Sequence, residues 1–360
     1  MNKVMAPRMA NETRLTAVPA GSGGAVAPGA TSTGRLLVTV VLALLVALTG
    51  CESDEDCINC VELPPPVVPT GVHSISGDNE VIVQWFDIAY APYDDSYNEN
   101  VTTYYVYSRF YENGDEFNFP DREFDPIGEV DWDENYDPSS GLHWFIDRDV
   151  VNGQQYEYAI AAVNAAGRRS ALSFEFVADA PLPMSQLDAQ GWFIPLEIFD
   201  ANDTNAALSG FDFRRAGLNP GIPTAGRVEP VGDYNIKIGF EGQVAYAMAN
   251  NSTTRIQDFG VFTTVDDLGV EHLVFEGVGW APANGYSGTG KLEMVVRHVY
   301  VVEIIDGNGL HYAKFGIDGI NTNDGSVDLI WAYQLIGGLP ELKATGPKER
   351  TEVKPQLIKM

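Results

Sequence analysis

Cysteine is nearly absent from this chain: three in 360 residues, at positions 51, 57 and 60, with none beyond. No disulfide can therefore staple the body that follows, which must hold together by burying apolar surface. Basic residues are also scarce, 22 Lys and Arg against 50 Asp and Glu, for a net charge of −28. Such a surface repels nucleic acid and anionic membrane, both of which are bound by Lys and Arg neutralising phosphates. No apolar run reaches the roughly 20 residues that span a bilayer. The longest, Leu36 to Leu48, has 13. No H-E-x-x-H, G-x-S-x-G or Arg-Gly-Asp occurs, and no stretch after residue 66 shows helical periodicity.

What is present begins with that apolar run. Arg35 precedes it and Leu48-Thr49-Gly50-Cys51 closes it. A basic flank, a short apolar segment and small residues at its end describe a secretory signal, although 34 residues ahead of Arg35 are many for its front part. The ending resembles the lipobox of bacterial lipoproteins. That likeness implies cleavage before Cys51, acylation of Cys51, and a cell-envelope, outer-membrane location anchored by several acyl chains, where one chain would bind only marginally. Residues 1–50 contain Lys3, Arg8, Arg14, Arg35 and Glu12, so the expected mature chain carries 18 basic and 49 acidic groups, net −31. The acidic string Glu52-Ser53-Asp54-Glu55-Asp56 resembles the export tag of surface-exposed lipoproteins, and equally a solvated linker. Cys57 and Cys60 form a C-x-x-C pair. No second ligand pair suits zinc, no His follows for haem attachment, and the Pro-rich sequel cannot supply a helix amino terminus to activate a thiol. A local disulfide or two free thiols in the tether is the expectation.

Apolar content of 45% with 11% aromatics implies a folded body beneath the acidity. Alternating strands and Gly/Asn/Asp turns point to an all-β protein. The organisation expected is a signal over 1–50, a tether over 51–66, a first domain over 67–181, a second over 184–343 and a charged tail over 344–360, with the break at Ala180-Pro181-Leu182-Pro183. In the first domain EVIVQWF alternates Val81, Val83 and Trp85, TTYYVYSRF follows, and IDRDVVNGQQYEYAIAAVNAAG places Val150 and Tyr156 around an Asn152-Gly153 turn. These segments resemble a fibronectin type III (immunoglobulin-like) sandwich. The resemblance implies a core role for Trp85 and a tyrosine corner at Tyr156, whose hydroxyl would tie the strand crossover to the backbone. Long acidic, aromatic segments over 87–142 make this domain longer than the usual ~100 residues.

The second domain reads as another antiparallel β-domain. DYNIKIGF alternates, and KLEMVVRHVYVVEI reads as one long strand with Leu292, Met294, Val296, His298, Tyr300, Val302 and Ile304 on one face. HYAKFGIDGI and SVDLIWAYQL read as a hairpin closed by an Asp324-Gly325 turn. HYAKFGI and WAYQLIGGLPELK resemble the closing hairpin of HmuY-type haem-binding lipoproteins. The likeness spans some 45 residues, is a packing motif rather than a ligand site, and implies kinship in fold.

Three motifs bear on chemistry. Gly285-Tyr286-Ser287-Gly288-Thr289-Gly290-Lys291-Leu292 nearly spells a phosphate loop, but Leu292 stands where Ser or Thr must hold magnesium, so a glycine-rich turn is expected. His298 and Met294 are haem-ligand types, yet four residues along one strand are ~13 Å apart, which leaves His298 as a hydrogen-bonded core residue. Asp131, Asp133, Asn135 and Asp137 recur at every second position, a spacing with which a loop can wrap calcium. The glycine and glutamate of an EF-hand are missing, and a solvated acidic loop is the other reading.

No nucleophile, base or cofactor motif supports an enzyme. The expectation is a non-catalytic binding or adhesion-type lipoprotein whose partners are the membrane and an envelope protein or glycan. A haem or small-ligand scavenger and an accessory glycan-processing protein are the alternatives. Aromatics among carboxylates in the insertions, Tyr90, Tyr93, Tyr97, Tyr111, Phe117, Phe119, Trp132 and Tyr136, are the expected contact surface, unless they close a small core of their own.

Overall fold

The computed structural model of the protein describes residues 63–88, 101–110 and 123–344, apart from 176, 190, 230 and 266–268. The first eight strands are β1 (His73–Ser76), β2 (Val81–Phe86), β3 (Val101–Phe110), β4 (Asp125–Asp131), β5 (Tyr136–Asp137), β6 (Leu142–Asp147), β7 (Tyr156–Asn164) and β8 (Val177–Asp179). They pair antiparallel into two sheets of order β1-β2-β6-β5 and β4-β3-β7-β8. This strand order is that of a fibronectin type III sandwich. Its core is what the alternation of the sequence predicts: Val81, Val83 and Trp85 of β2 face Tyr104 and Val106 of β3 and Tyr158 and Ile160 of β7. Trp85 meets Tyr104 edge-on at 5.5 Å, a favoured aromatic geometry. The tyrosine corner is formed. The Val151 N–H donates to the Tyr156 hydroxyl at 3.0 Å and fixes the crossover between β6 and β7.

The second domain contains β9 (Leu196–Phe199), β10 (Gly210–Phe211), α1 (Phe213–Leu218), β11 (Arg227–Val228), β12 (Ile236–Glu241), β13 (Val244–Ala249), β14 (Thr254–Val261), β15 (Thr263–Val265), β16 (Glu271–Leu273), β17 (Lys291–Glu293), β18 (His298–Asp306), β19 (Gly309–Asn321) and β20 (Ser326–Tyr333). Two five-stranded sheets, β11-β10-β12-β13-β17 and β14-β18-β19-β20-β9, enclose one core, and β15 pairs with β16 alone. Helix α1 is too short to show periodicity in sequence; Asp212 caps it by accepting the Arg214 N–H at 3.1 Å.

The stretch KLEMVVRHVYVVEI is not one strand. Its first three residues form β17 in one sheet, and the chain then crosses to β18 in the other. Arg297 sits at the crossing with φ +68°, a left-handed conformation that ends the pleat. Met294, Tyr300, Val302 and Ile304 do reach the inter-sheet core, whereas Val296 is exposed.

The β18–β20 part of its sheet is buried on both faces. Its outer face is covered by Leu182, Met184, Leu273, Phe275, Val278, Leu342 and Ala344. Lys314 of β19 points into this layer with 0% exposure. Its ammonium donates to the carbonyls of Phe275, Val278 and Ala344 at 2.6, 3.0 and 3.3 Å, so one lysine pins two covering segments, 275–278 and 342–344. The expected hairpin of β19 and β20 is present, with Asn321 opposite Ser326 and Gly325 at φ +67°.

The expected break at 180–183 is buried and hydrogen-bonded on both sides. Gly153 N–H donates to Pro181 at 2.9 Å, Leu182 N–H to Gly77 at 3.2 Å, and Tyr333 N–H to Pro183 at 3.0 Å.

Candidate binding surfaces at the two ends of the first sandwich

Strand β3 separates the predicted contact segments. β3 enters the sandwich at Val101 and leaves it at Phe110, ten residues or about 30 Å away. Residues 87, 101 and 131–142 gather at the Val101 end, where the Asp87 N–H donates to Gly141 at 2.9 Å, and Phe110 and Phe124 stand at the other, so the 87–142 region reaches both ends of the sandwich rather than one surface. Tyr90, Tyr93, Tyr97, Tyr111, Phe117 and Phe119 lie outside the described residues, as do Cys51, Cys57, Cys60 and all of the 344–360 tail except Ala344.

At the entry end, residues 131–144 form a tightly bonded hairpin. The Trp132 N–H donates to Thr102 at 3.0 Å, Glu134 N–H to Asp131 at 2.9 Å, and Trp144 N–H to Asn135 at 3.0 Å. Asn135 takes φ +45°, which asparagine tolerates better than most residues. At the tip Trp132 is 50% exposed, among the exposed carboxylates of Asp131, Asp133 and Glu134. Tyr136 turns the other way and packs on His143 at 4.8 Å, so one of the two described aromatics supports the hairpin instead of facing outward. His143 is wholly buried, 4.7 Å from the Tyr104 ring and 3.7 Å from the Asp87 carboxylate. Tyr104 donates its hydroxyl to Asp87 at 3.0 Å, and burial pushes that phenol far above its ordinary range.

Two of the carboxylates in the calcium spacing have partners within the protein. Asp137 accepts from the Ser140 hydroxyl at 2.7 Å and from the Ser139 hydroxyl and N–H at 2.8 Å, bonds that hold its carboxyl below the ordinary range. Asp131 accepts from the Thr103 hydroxyl at 3.3 Å. Among the described residues no group of three or more His, Cys, Asp or Glu side chains is gathered as a cation site.

At the exit end lies an open cleft of about 820 Å³, lined by Ser108, Arg109 and Phe110 of β3, Asp125, Pro126 and Ile127 of β4, and Asp147, Asp149 and 151–154 near the corner, with Tyr156. Arg109 is paired with Glu157 at 2.6 Å and lies 4.4 Å over the Phe124 ring. Asp147 accepts from Tyr158 at 3.1 Å. No sequence pattern marks this cleft, because its parts come from three separate strand ends.

In the second domain the glycine-rich stretch leads directly into β17, with Gly285 and Gly290 at φ +97° and +62°, as a turn should. His298 is hydrogen-bonded, as expected, to Asp258 at 3.0 Å, but it lies half-exposed at the start of β18 and not in the core. The other histidines are scattered: His73 contacts Gln84 at 2.7 Å, His272 stacks on Trp192 at 4.4 Å, and His311 faces the Gln334 carbonyl at 3.3 Å.

No protein-family model matches the chain, and no curated protein matches it in sequence. Among solved structures, the third fibronectin III domain of a human protein aligns with 34% of this chain and 88% of its own, at 15% identity and a TM-score of 0.25. A DUF4466 family protein from Parabacteroides merdae aligns with 77% of this chain and 96% of its own, at 10% identity and 0.30. The β-1,2-glucanase of Parabacteroides distasonis aligns with 35% of this chain, which spans 14% of that enzyme, at 18% identity and 0.22. The sandwich assignment rests on strand order, pairing and the tyrosine corner, and these faint likenesses carry nothing about activity.

Proposed function

We propose that this chain is a lipid-anchored, extracytoplasmic binding protein without catalytic activity, held at the cell envelope through Cys51 and surface-exposed through its acidic tether. Its contact surface is the hairpin end of the type III sandwich. One observation carries the reading: Trp132 is half-exposed on a backbone fixed by several hydrogen bonds, among carboxylates that no described metal cluster uses. A large aromatic held rigidly in solvent contributes burial to a partner at small entropic cost, which is why such residues anchor interfaces and sugar faces. The acidic surroundings select for a neutral or cationic partner such as an uncharged glycan or a basic patch on an envelope protein.

The test is a binding screen of the full chain against envelope glycans and proteins, repeated with Trp132→Ala. Loss of at least tenfold in affinity with an unchanged melting temperature supports the reading. Undiminished binding moves the contact surface elsewhere. The anchor is tested separately: Cys51→Ala should leave the membrane fraction, and a variant that stays there with unchanged mass rules out the lipidation.

A further inference from the structure

Two deeply buried carboxylates, one from each domain, meet across a single lysine. Asp179 at the end of β8 is 0% exposed and Glu341 is 1% exposed. The Lys343 ammonium lies 2.9 Å from Glu341 and 4.0 Å from Asp179, and donates to the Ala178 carbonyl at 3.2 Å. Ser76 of β1 donates its hydroxyl to Asp179 at 2.5 Å, and its N–H to the Lys343 carbonyl at 2.8 Å, so segment 343–344 extends the edge of the first domain's sheet. Trp280, bridged to Glu341, places its ring 5.6 Å from the same ammonium. Among the described residues the charged groups facing Glu341 are Asp179 and Lys343.

Two buried carboxylates and one ammonium, on a lysine side chain only 24% exposed, leave an excess negative charge that water screens poorly, a costly arrangement unless a proton is retained. We infer that the joint between the two domains is a proton-keyed latch, closed while Asp179 and Glu341 share Lys343 and one proton, and loosened when that proton leaves. Burial, reinforced by Asp179, pushes the Glu341 carboxyl up to about 7, and burial raises Asp179 as well. The sign follows. Released into water, Glu341 titrates near its ordinary 4.5, so between about 4.5 and 7 the closed joint binds a proton that the open one does not. Closure is therefore strongest at mildly acidic pH, weakens by up to about tenfold per pH unit through that window, and is flat above it.

The experiment is amide hydrogen exchange on the full chain at pH 5.5 and 7.5, corrected for intrinsic exchange. The Ser76 N–H reports the joint, and the Val83 N–H in the sandwich core serves as control. The expected result is a loss of at least fivefold in Ser76 protection at the higher pH, with Val83 unchanged. Glu341→Gln, which leaves a neutral Asp179–Lys343 pair, should abolish the pH dependence. Asp179→Asn, which leaves a still-buried Glu341 with Lys343, should shrink the pH dependence and stands in if the first variant does not fold. A parent with no pH dependence at Ser76, or a variant with the parent's slope, overturns the latch.

Discussion

The Val295 N–H donates to the Tyr300 hydroxyl at 2.9 Å, and the same hydroxyl donates to the Glu293 carbonyl at 2.9 Å. The spacing of five residues repeats that of Val151 and Tyr156 in the first domain, where the bond is 3.0 Å. Both phenols tie down a chain that is leaving one sheet for another. At Tyr300 the tied segment is the crossing from β17 to β18, which carries Arg297 at φ +68°. A buried hydroxyl that satisfies two otherwise orphaned backbone groups does for a crossover what a ladder does for a strand.

Tyr300→Phe should accordingly destabilise the second domain by about 1–2 kcal/mol, since it leaves a part-buried N–H and carbonyl without this partner while keeping the ring. Tyr156→Phe, which removes one such bond, should cost about 1 kcal/mol. Denaturant titration of each variant measures both. Equal, negligible effects would mean that packing alone holds the two crossovers.

Lys314 makes a sharper case. It is fully buried and its ammonium serves three carbonyls from two separate segments. Lys314→Met keeps most of the stem but strands those carbonyls, and should cost about 3 kcal/mol or more. The loss would appear as a lowered melting temperature with increased exchange at 275–278 and 342–344. A variant within 0.5 kcal/mol of the parent, about the spread of ordinary surface substitutions, would show that other packing holds the outer layer.

Much of this architecture was legible in the sequence because its causes are local. Alternation put Val81, Val83 and Trp85 in the first core, Asn152-Gly153 gave the turn, and Asp324-Gly325 closed β19 onto β20. What escaped notice was non-local or too short. The alternation of Leu292 through Ile304 runs on without a break, and only a left-handed Arg297 reveals that two sheets share it. Six residues of α1 cannot display a period of 3.6. Trp132 and Tyr136 look alike among acidic neighbours, yet one faces solvent and the other lies on His143. Glu341 and Lys343 read as the last residues of the second domain, and nothing local pairs them with Asp179 across the joint. Pairing across 165 residues, as between Ala178 and Lys343, leaves no periodic trace.

Gly316 of β19 shows the same limit from the other side. A Cβ built there would stand 2.4 Å from Leu273 Cδ2 and 3.3 Å from Ile330 and Phe275, so the outer layer closes directly onto backbone. Gly316→Ala should cost about 1–3 kcal/mol through displaced Leu273, despite alanine's better strand entropy. A melting temperature equal to or above the parent's would mean that Leu273 moves aside freely.

The last prediction concerns calcium at the hairpin. Asp137, the residue best placed by spacing to close a loop around an ion, is already saturated by the Ser139 and Ser140 donors, and Asp131 accepts from Thr103. Binding calcium would require giving up those bonds, and a carboxylate held low by them gains less from a cation than a free one. Asp133 remains exposed and would supply one ligand, far short of the six to eight oxygens the ion takes. The expected outcome is therefore a melting temperature that is the same in millimolar calcium and in EDTA, and an Asp133→Ala variant that matches the parent in both. Because an ion bound at micromolar affinity would stabilise the fold by about 4 kcal/mol at millimolar concentration, a real site could not hide in that measurement. A calcium-dependent rise that disappears in Asp133→Ala would show that the hairpin rearranges around the ion, and would make Trp132 the rim of a metal-ordered surface.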